Sequence, residues 1–245
     1  MKEYYFLSGT PRSGNTLLGS IINQNPNLSL TANTIVTDII YQLSLLKEFQ
    51  IYKNFSDEDS LNNVIKNVFS NYYQNWKAKF IIDRGVWGTP TNLHLLKSII
   101  KKPKFIILYR PVLECLASFI KIEKPTNVEK RCEYLMEENG MIGKALLSIK
   151  NIIKEKEDHI IINYLDLIKN TSNEVNKIYK FLNIGNFNHT FKNLDDFSAN
   201  GIKYDDSVLP CVLHNIRTDK IKLNKYKIED YLPSYIINKY SHIKL

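Results

Sequence analysis

The chain has 245 residues, 44% apolar and 24% charged, which is enough for a sizeable buried core and too balanced for a disordered or fibrous protein. Its formal charge of +8 allows an anionic ligand, although lysines on solvated helix faces such as "IKNIIKEKED" and a general Lys, Asn and Ile bias account for much of it. Cys115, Cys132 and Cys211 lack CxxC spacing and cannot all pair within the chain, and no apolar run approaches membrane-spanning length, so a reducing, cytoplasmic setting with neither leader nor transmembrane segment is expected.

"YYFLSG" at 4–9 is a short apolar run ending in glycine and predicts a buried strand. The stretch "SGTPRSGNT" follows, and then Thr16 to Asn25 shows helical apolar spacing and stops at "NPN". Residues 31–78 predict a mainly helical insertion, "TDIIYQLSLLKEF" and then "SLNNVIKNVFSNYYQNW". Ser56 with Asp59 resembles a helix start between them. "KFIID" at 79–83 is a second strand, "TNLHLLKSIIKK" a helix closed by Pro103, and "KFIILY" at 104–109 a third strand. Pro111 opens another helix, and 128–157 is helical with a break near Gly140 or Gly143. "HIIIN" at 159–163 is a fourth strand, and "SNEVNKIYKFLN" the helix after it. Residues 186–245 are less regular and are expected to form a lid or closing segment, ending in a helix-like "YLPSYIINKY".

Strands alternating with helices predict an α/β fold, a P-loop-NTPase-like parallel sheet with helices on both faces, spanning 1–245 as one domain. All strand-to-helix turns then share one edge, which gathers "SGTPRSGNT", "DRGVW", "YRP" and "NYLD" at one cleft.

The first of these turns is nearly a P-loop. Gly9 and Gly14 permit a tight turn whose N–H groups, with the helix N-terminus, cradle an anion. A triphosphatase adds a lysine for the β- and γ-phosphates, where this chain has Asn15. Losing that lysine damages triphosphate chemistry and leaves a cradle for a smaller anion.

"FLSGTPRSGNTLLGSIINQNPNL" resembles the 5′-phosphosulfate loop of sulfotransferases, with its Pro-Arg-Ser-Gly-x-Thr core, in the flavour of the tyrosylprotein branch and its bacterial and viral relatives. The resemblance runs over about residues 4–184 and again near 214–240. It implies the donor 3′-phosphoadenosine 5′-phosphosulfate (PAPS), the product PAP, and no catalytic metal. Pro11, Arg12, Ser13, Gly14, Asn15 and Thr16 would bind the 5′ side, with Arg12 on the sulfate oxygens. Arg110 and, eight residues on, Ser118 match the family's Arg and Ser for the 3′-phosphate. Tyr164 falls where relatives place a tyrosine near the nucleotide, and Arg217 and Thr218 in "HNIRTDK" match the late segment that closes over the 3′-phosphate.

The resemblance also implies a second cation for the transition state, and Arg84 stands where similar enzymes carry a lysine; an ion pair with Asp83 is the structural alternative. One family feature is missing. Twenty-one residues beyond the loop arginine, tyrosylprotein sulfotransferases carry a glutamate base, and this chain has Asn33. Asp38 is the nearest carboxylate and the first candidate base, with His94 and His214 as others. Tyr72, Tyr73, Trp76 and Trp87 are candidate acceptor-pocket walls or core residues. The acceptor is expected to be a hydroxyl on a small molecule, carbohydrate or lipid. An atypical P-loop kinase, with Asp83 as a Walker B mimic, and a non-catalytic binding module are the rival readings; no nucleic-acid-binding motif is present.

Overall fold

A computed structural model describes residues 1–208, 211–214, 216, 219, 221, 222 and 227–245. Five strands, β1 (Glu3–Gly9), β2 (Leu28–Asn33), β3 (Phe80–Arg84), β4 (Lys104–Tyr109) and β5 (Asp158–Asn163), form one sheet in the order β2-β3-β1-β4-β5. Every pairing in it is parallel. The helices are α1 (Asn15–Ile22), α2 (Val36–Leu45), α3 (Gln50–Asn54), α4 (Glu58–Lys66), α5 (Val68–Tyr72) and α6 (Pro90–Ile99), then α7 (Val112–Glu123), α8 (Val128–Met136), α9 (Met141–Lys154), α10 (Tyr164–Lys169), α11 (Thr171–Leu182) and α12 (Ser234–Tyr240).

The strand period of two divides the core between the faces. Leu7, Ile106, Leu108 and Ile162 turn toward α1, α10 and α11, where they meet Leu18, Ile21, Leu167 and Ile178. Phe6, Ile81, Phe105 and Ile107 turn the other way and meet Ile40 of α2, Phe69 of α5, Leu96 of α6 and Ile149 of α9. Each such side chain is fully buried and contributes roughly 1.5–3 kcal/mol. A third cluster packs α7, α8, α9 and α12 together around Phe119, Leu135, Ile142 and Ile236.

The expected α/β architecture is present, with one correction: residues 31–33 belong to a fifth strand, β2, rather than to the helical insertion. β2 carries polar Ser29 and Thr31 at buried positions, so it never presents an apolar run. Thr31 is accommodated because its Oγ1 accepts the Arg84 N–H at 2.9 Å. In the insertion, Asp57, one residue after Ser56, caps α4 by accepting the Ser60 N–H at 3.0 Å. The break in the long helical stretch falls at Glu137–Gly140, between α8 and α9. A Cβ on Gly140 would lie 2.3 Å from the Tyr134 carbonyl, so only glycine fits there.

The C-terminal part is irregular around an antiparallel pair, β6 (Ser198–Ala199) with β7 (Ile202–Lys203). Its root is fixed. Phe197 packs where a side chain on Gly19 of α1 would be, 2.5 Å from that Cβ position, and Asn23 Nδ2 donates to the Ser198 carbonyl at 2.9 Å. All three cysteines are free. Among the described residues no helix is long and apolar enough to cross a membrane.

Candidate active site

The loop after β1 is built by its own polar side chains. The Thr10 N–H reaches the Leu108 carbonyl at 3.0 Å and Thr10 Oγ1 accepts the Arg110 N–H at 2.9 Å, which ties the loop to the end of β4. Ser13 Oγ donates to the Thr10 carbonyl at 2.6 Å. Asn15, at the lysine position of a P-loop, donates from Nδ2 to the Thr10 carbonyl at 3.1 Å and to Ser13 Oγ at 3.2 Å. The asparagine therefore braces the loop. Gly9 leaves the space that Asn15 needs: a Cβ there would lie 2.6 Å from Asn15 Oδ1. Gly14 turns the chain at φ 87°, and α1 then starts with no side-chain cap on its first-turn N–H groups.

A cavity of about 790 Å³ opens on this loop. Pro11, Arg12, Gly14, Asn15 and Thr16 line one part of it; Arg110, Ser118 and Tyr164 also line it, as do Asn33 and Arg84. The ends of all five strands thus converge on it, the four that the turn argument requires and that of β2. Ser13 lies behind this surface, fully buried, and supports the loop. Arg217 and Thr218 lie outside the described residues.

Arg110 is 5% exposed, a nearly dry cation at the cavity wall. Its Nε bonds Glu114 Oε2 at 3.0 Å, its Nη1 bonds the Arg12 carbonyl at 2.8 Å, and its guanidinium lies 4.4 Å from the Tyr164 ring. Ser118, two turns along α7, accepts from Arg12 Nε at 3.3 Å. Arg12 Nη1 donates to the Leu213 carbonyl at 2.5 Å, which reaches across to the C-terminal segment. Arg12 is itself in left-handed backbone at φ 63°.

Arg84 is not paired with Asp83. Its Nη1 donates to Tyr204 Oη at 2.9 Å, again in the C-terminal segment. Asp83 is fully buried and accepts from Trp87 Nε1 at 3.0 Å, from Thr34 Oγ1 at 3.0 and 3.2 Å, and from the Tyr73 hydroxyl. Burial pushes its carboxyl up to about 6, against the pull of those donors. Sealed in this way, Asp83 cannot serve as an open magnesium ligand.

Other candidates fall away from the cavity. Asp38 is exposed in the first turn of α2 and His94 is exposed on α6; neither lines the cavity. Tyr73 and Trp87 are core residues, 0% and 1% exposed, and both donate to Asp83; Trp87 packs edge-on to Phe6 and tilted against Phe69. Tyr72 and Trp76 pack edge-on against Tyr73. No described residue between 34 and 83 lines the cavity, so the helical insertion does not wall it.

His214, in contrast, lines it. Its Nδ1 bonds the Asp206 carboxylate, and Asp206 Oδ2 also accepts the Leu213 and His214 N–H groups at 3.0 Å each. The imidazole stacks on Tyr204, with centroids 3.6 Å apart and planes 3° from parallel. Sequence reasoning missed Asp206 and Tyr204, because nothing in "KYDDS" marks them before the chain folds. It also missed Lys121, Lys144 and Lys222, which with Arg12, Arg84 and Arg110 make six cations on the cavity wall. Among the described lining residues there is no carboxylate, and this imbalance favours a multiply charged anion.

Comparison with known proteins agrees with this geometry. The sulfotransferase domain family matches residues 2–227. No curated protein matches the sequence. Among solved structures, the chain is similar to the sulfotransferase domain from the curacin biosynthetic pathway (TM-score 0.54, 20% identity, covering 76% of this chain and 75% of that one). It is also similar to the sulfotransferase domain of the Synechococcus PCC 7002 olefin synthase (TM-score 0.52, 15% identity, covering 100% and 89%). A third is a sulfotransferase from Alicyclobacillus acidocaldarius (TM-score 0.52, 12% identity, covering 84% and 87%). At these identities the structural likeness speaks for the fold, a parallel sheet between helices of the P-loop-NTPase-like kind. With the family match spanning nearly the whole sequence, the chain belongs to the sulfotransferase domain family.

Proposed function

We propose that the protein transfers a sulfuryl group from PAPS to a hydroxyl acceptor. The observation that carries this reading is the pairing, in one cavity, of a lysine-free anion cradle with an adjoining cationic site at Arg110 and Ser118. PAPS has two anionic ends, and the cavity offers a place for each. The residues fit the donor: the α1 N-terminus and Gly14 would receive the 5′ side, and Arg110 with Ser118 the 3′-phosphate. Once bound, PAPS would supply an activated sulfuryl group on a phosphate leaving group.

The chain's own residues then do the rest. Arg12 and Arg84 reach the cavity from the ends of β1 and β3 and would neutralise charge spread over the sulfuryl oxygens, as cationic groups do in in-line phosphoryl transfer. Arg110 is already dry, so little desolvation remains to be spent when it meets a phosphate. Val86, Ile122, Met141 and Ala145 give the same cavity an apolar wall for the adenine and the non-polar part of a small-molecule, carbohydrate or lipid acceptor. The kinase alternative is disfavoured by Asn15 bracing the loop and by the sealed Asp83.

Calorimetric titration with PAP, in the absence of divalent metal, tests the reading against ATP with magnesium. PAP is expected to bind in the micromolar range or tighter. Arg110→Ala should lose ~1.5–3 kcal/mol, the worth of a hydrogen bond to a charged group, or about 10- to 150-fold in Kd. Binding of ATP with magnesium but not of PAP would sink the proposal.

A further inference from the structure

A hydroxyl acceptor must lose its proton as its oxygen bonds to sulfur, and the cavity's composition narrows the choice of proton acceptor. The family glutamate position is Asn33, which lines the cavity and cannot take a proton. No Asp or Glu appears among the described lining residues, and His214 is the single histidine among them. Lysine and arginine are protonated at neutral pH and do not accept.

His214 is also built for the task. Its Nδ1 is engaged by the Asp206 carboxylate, which fixes the tautomer: Nδ1 carries the hydrogen and Nε2 keeps its lone pair. Asp206 is itself held by two backbone N–H groups, from Leu213 and His214, so the pair forms a closed local unit. Although partial burial opposes it, bonding to the His214 ring and to these N–H groups keeps the Asp206 carboxyl below its ordinary range. The flat stack on Tyr204 fixes the ring plane.

Position gives a second, independent argument. Residue 213, next in chain, is bonded through its carbonyl to Arg12, and Tyr204, stacked on the imidazole, is bonded through its hydroxyl to Arg84. His214 is therefore tied to both of the cations that would grip the sulfuryl group, although Arg12 and Arg84 come from different strand ends.

We propose that His214, oriented by Asp206, is the general base of this enzyme and is delivered to the reaction centre by the C-terminal segment. The inference rests on the sulfotransfer reading above and adds its missing group. His214 Nε2 takes the acceptor hydroxyl proton while the acceptor oxygen forms its bond to sulfur. The bond from sulfur to the 5′-phosphate oxygen breaks, and PAP departs with that electron pair. Asp206 is a positioning residue: it holds the ring and stabilises the imidazolium. Among the described residues, the charged and titratable groups around the imidazole are Asp206, Tyr204, Arg84 behind Tyr204, and Arg12 beside Leu213.

The test compares wild type, His214→Gln, His214→Ala and Asp206→Asn. PAP affinity is measured by calorimetry, and turnover of PAPS to PAP is followed across pH 5–9 with water, ethanol and phenol as hydroxyl probes. PAP affinity should stay within about threefold in all variants. His214→Gln should lose on the order of 10²-fold in kcat, the usual worth of a general base. The acid limb of its pH profile should vanish, and added imidazole should restore part of the His214→Ala loss. Asp206→Asn should keep the limb but lower kcat, because the ring has lost the carboxylate that orients it. Turnover by His214→Gln within threefold of wild type, with the same limb, overturns the inference and leaves the donor reading intact. So does an equal loss without change of limb and without imidazole rescue, which marks a structural role. A wild type that binds PAP yet turns over none of the probes overturns it in favour of a binding module. A wild type that fails to bind PAP brings down the donor reading itself.

Discussion

Arg12 holds a guanidinium over the cavity from a backbone conformation that suits glycine, φ 63°. Left-handed backbone costs an L-residue roughly 1–2 kcal/mol. A pair of variants isolates that cost. Arg12→Ala and Arg12→Gly both lose the bonds to Ser118 and Leu213, so those losses cancel between them. Alanine keeps the strain and glycine relieves it. Glycine in turn loses about 0.5–1 kcal/mol through its freer unfolded chain. The balance is a glycine variant more stable than the alanine variant by about 0.5–1 kcal/mol, or a melting temperature about 1–4 °C higher for a domain of this size. Urea denaturation and calorimetric melting of the two proteins measure the difference directly. On the proposed function, both should lose PAPS turnover by roughly 10²-fold or more, as when a transition-state donor is removed elsewhere. An alanine variant equal to or more stable than the glycine variant would refute the argument that strain is stored at the loop cation.

Two further outcomes follow from the same structure. Asp83 titrates near 3.8 when unfolded and near 6 in the fold, so its stabilising contribution is full below about 3.8 and is lost as pH rises through 6. At two units this amounts to ~3 kcal/mol, and urea denaturation from pH 4 to 7 should show the stability gap between wild type and Asp83→Asn drifting against wild type as pH rises; a constant gap counts against it. Gly88→Ala should destabilise by about 1–3 kcal/mol through overpacking and reduce activity by displacing the turn that follows Arg84, because a Cβ would sit 2.3 Å from the Ser148 carbonyl and 2.4 Å from Ile152. An unchanged melting temperature would show that α9 yields at that contact.

Much of the fold was legible because four of the five strands are written as apolar runs, three of them inner strands buried on both faces and the fourth the edge strand β5. β2 was not, because it carries polar Ser29 and Thr31 at buried positions, and the hydrogen bond that accommodates Thr31 is not displayed in the sequence. That the loop, Arg110 and Ser118 would meet at one cavity was legible because their spacing is local to one turn or one helix. Asp38 was misleading: a carboxylate close in sequence to Asn33 lies on the outer side of α2. The ring of donors around Asp83 joins Thr34, Tyr73 and Trp87, and the Asp206–His214 pair depends on a loop with no periodicity. Both exist only once the chain has folded.

The parallel ladder also acts as a ruler. β1 is the middle strand, with Leu7 level with Arg84 on one side and Gly9 level with Leu108 on the other. Any slip that keeps the faces must move a strand by two residues, about 6.6 Å, which would carry Arg84 or Arg110 well clear of the loop. The spacing of the cations is thus set by sheet pairing rather than by the loops that display them. Chain hung between β2 and β3 is under no such constraint, since none of residues 34–83 described here reaches the cavity. Exposed positions of that excursion, unlike Ile40, Phe69 and Tyr73 that pack in the core, are therefore free to change while the spacing of the cations stays the same.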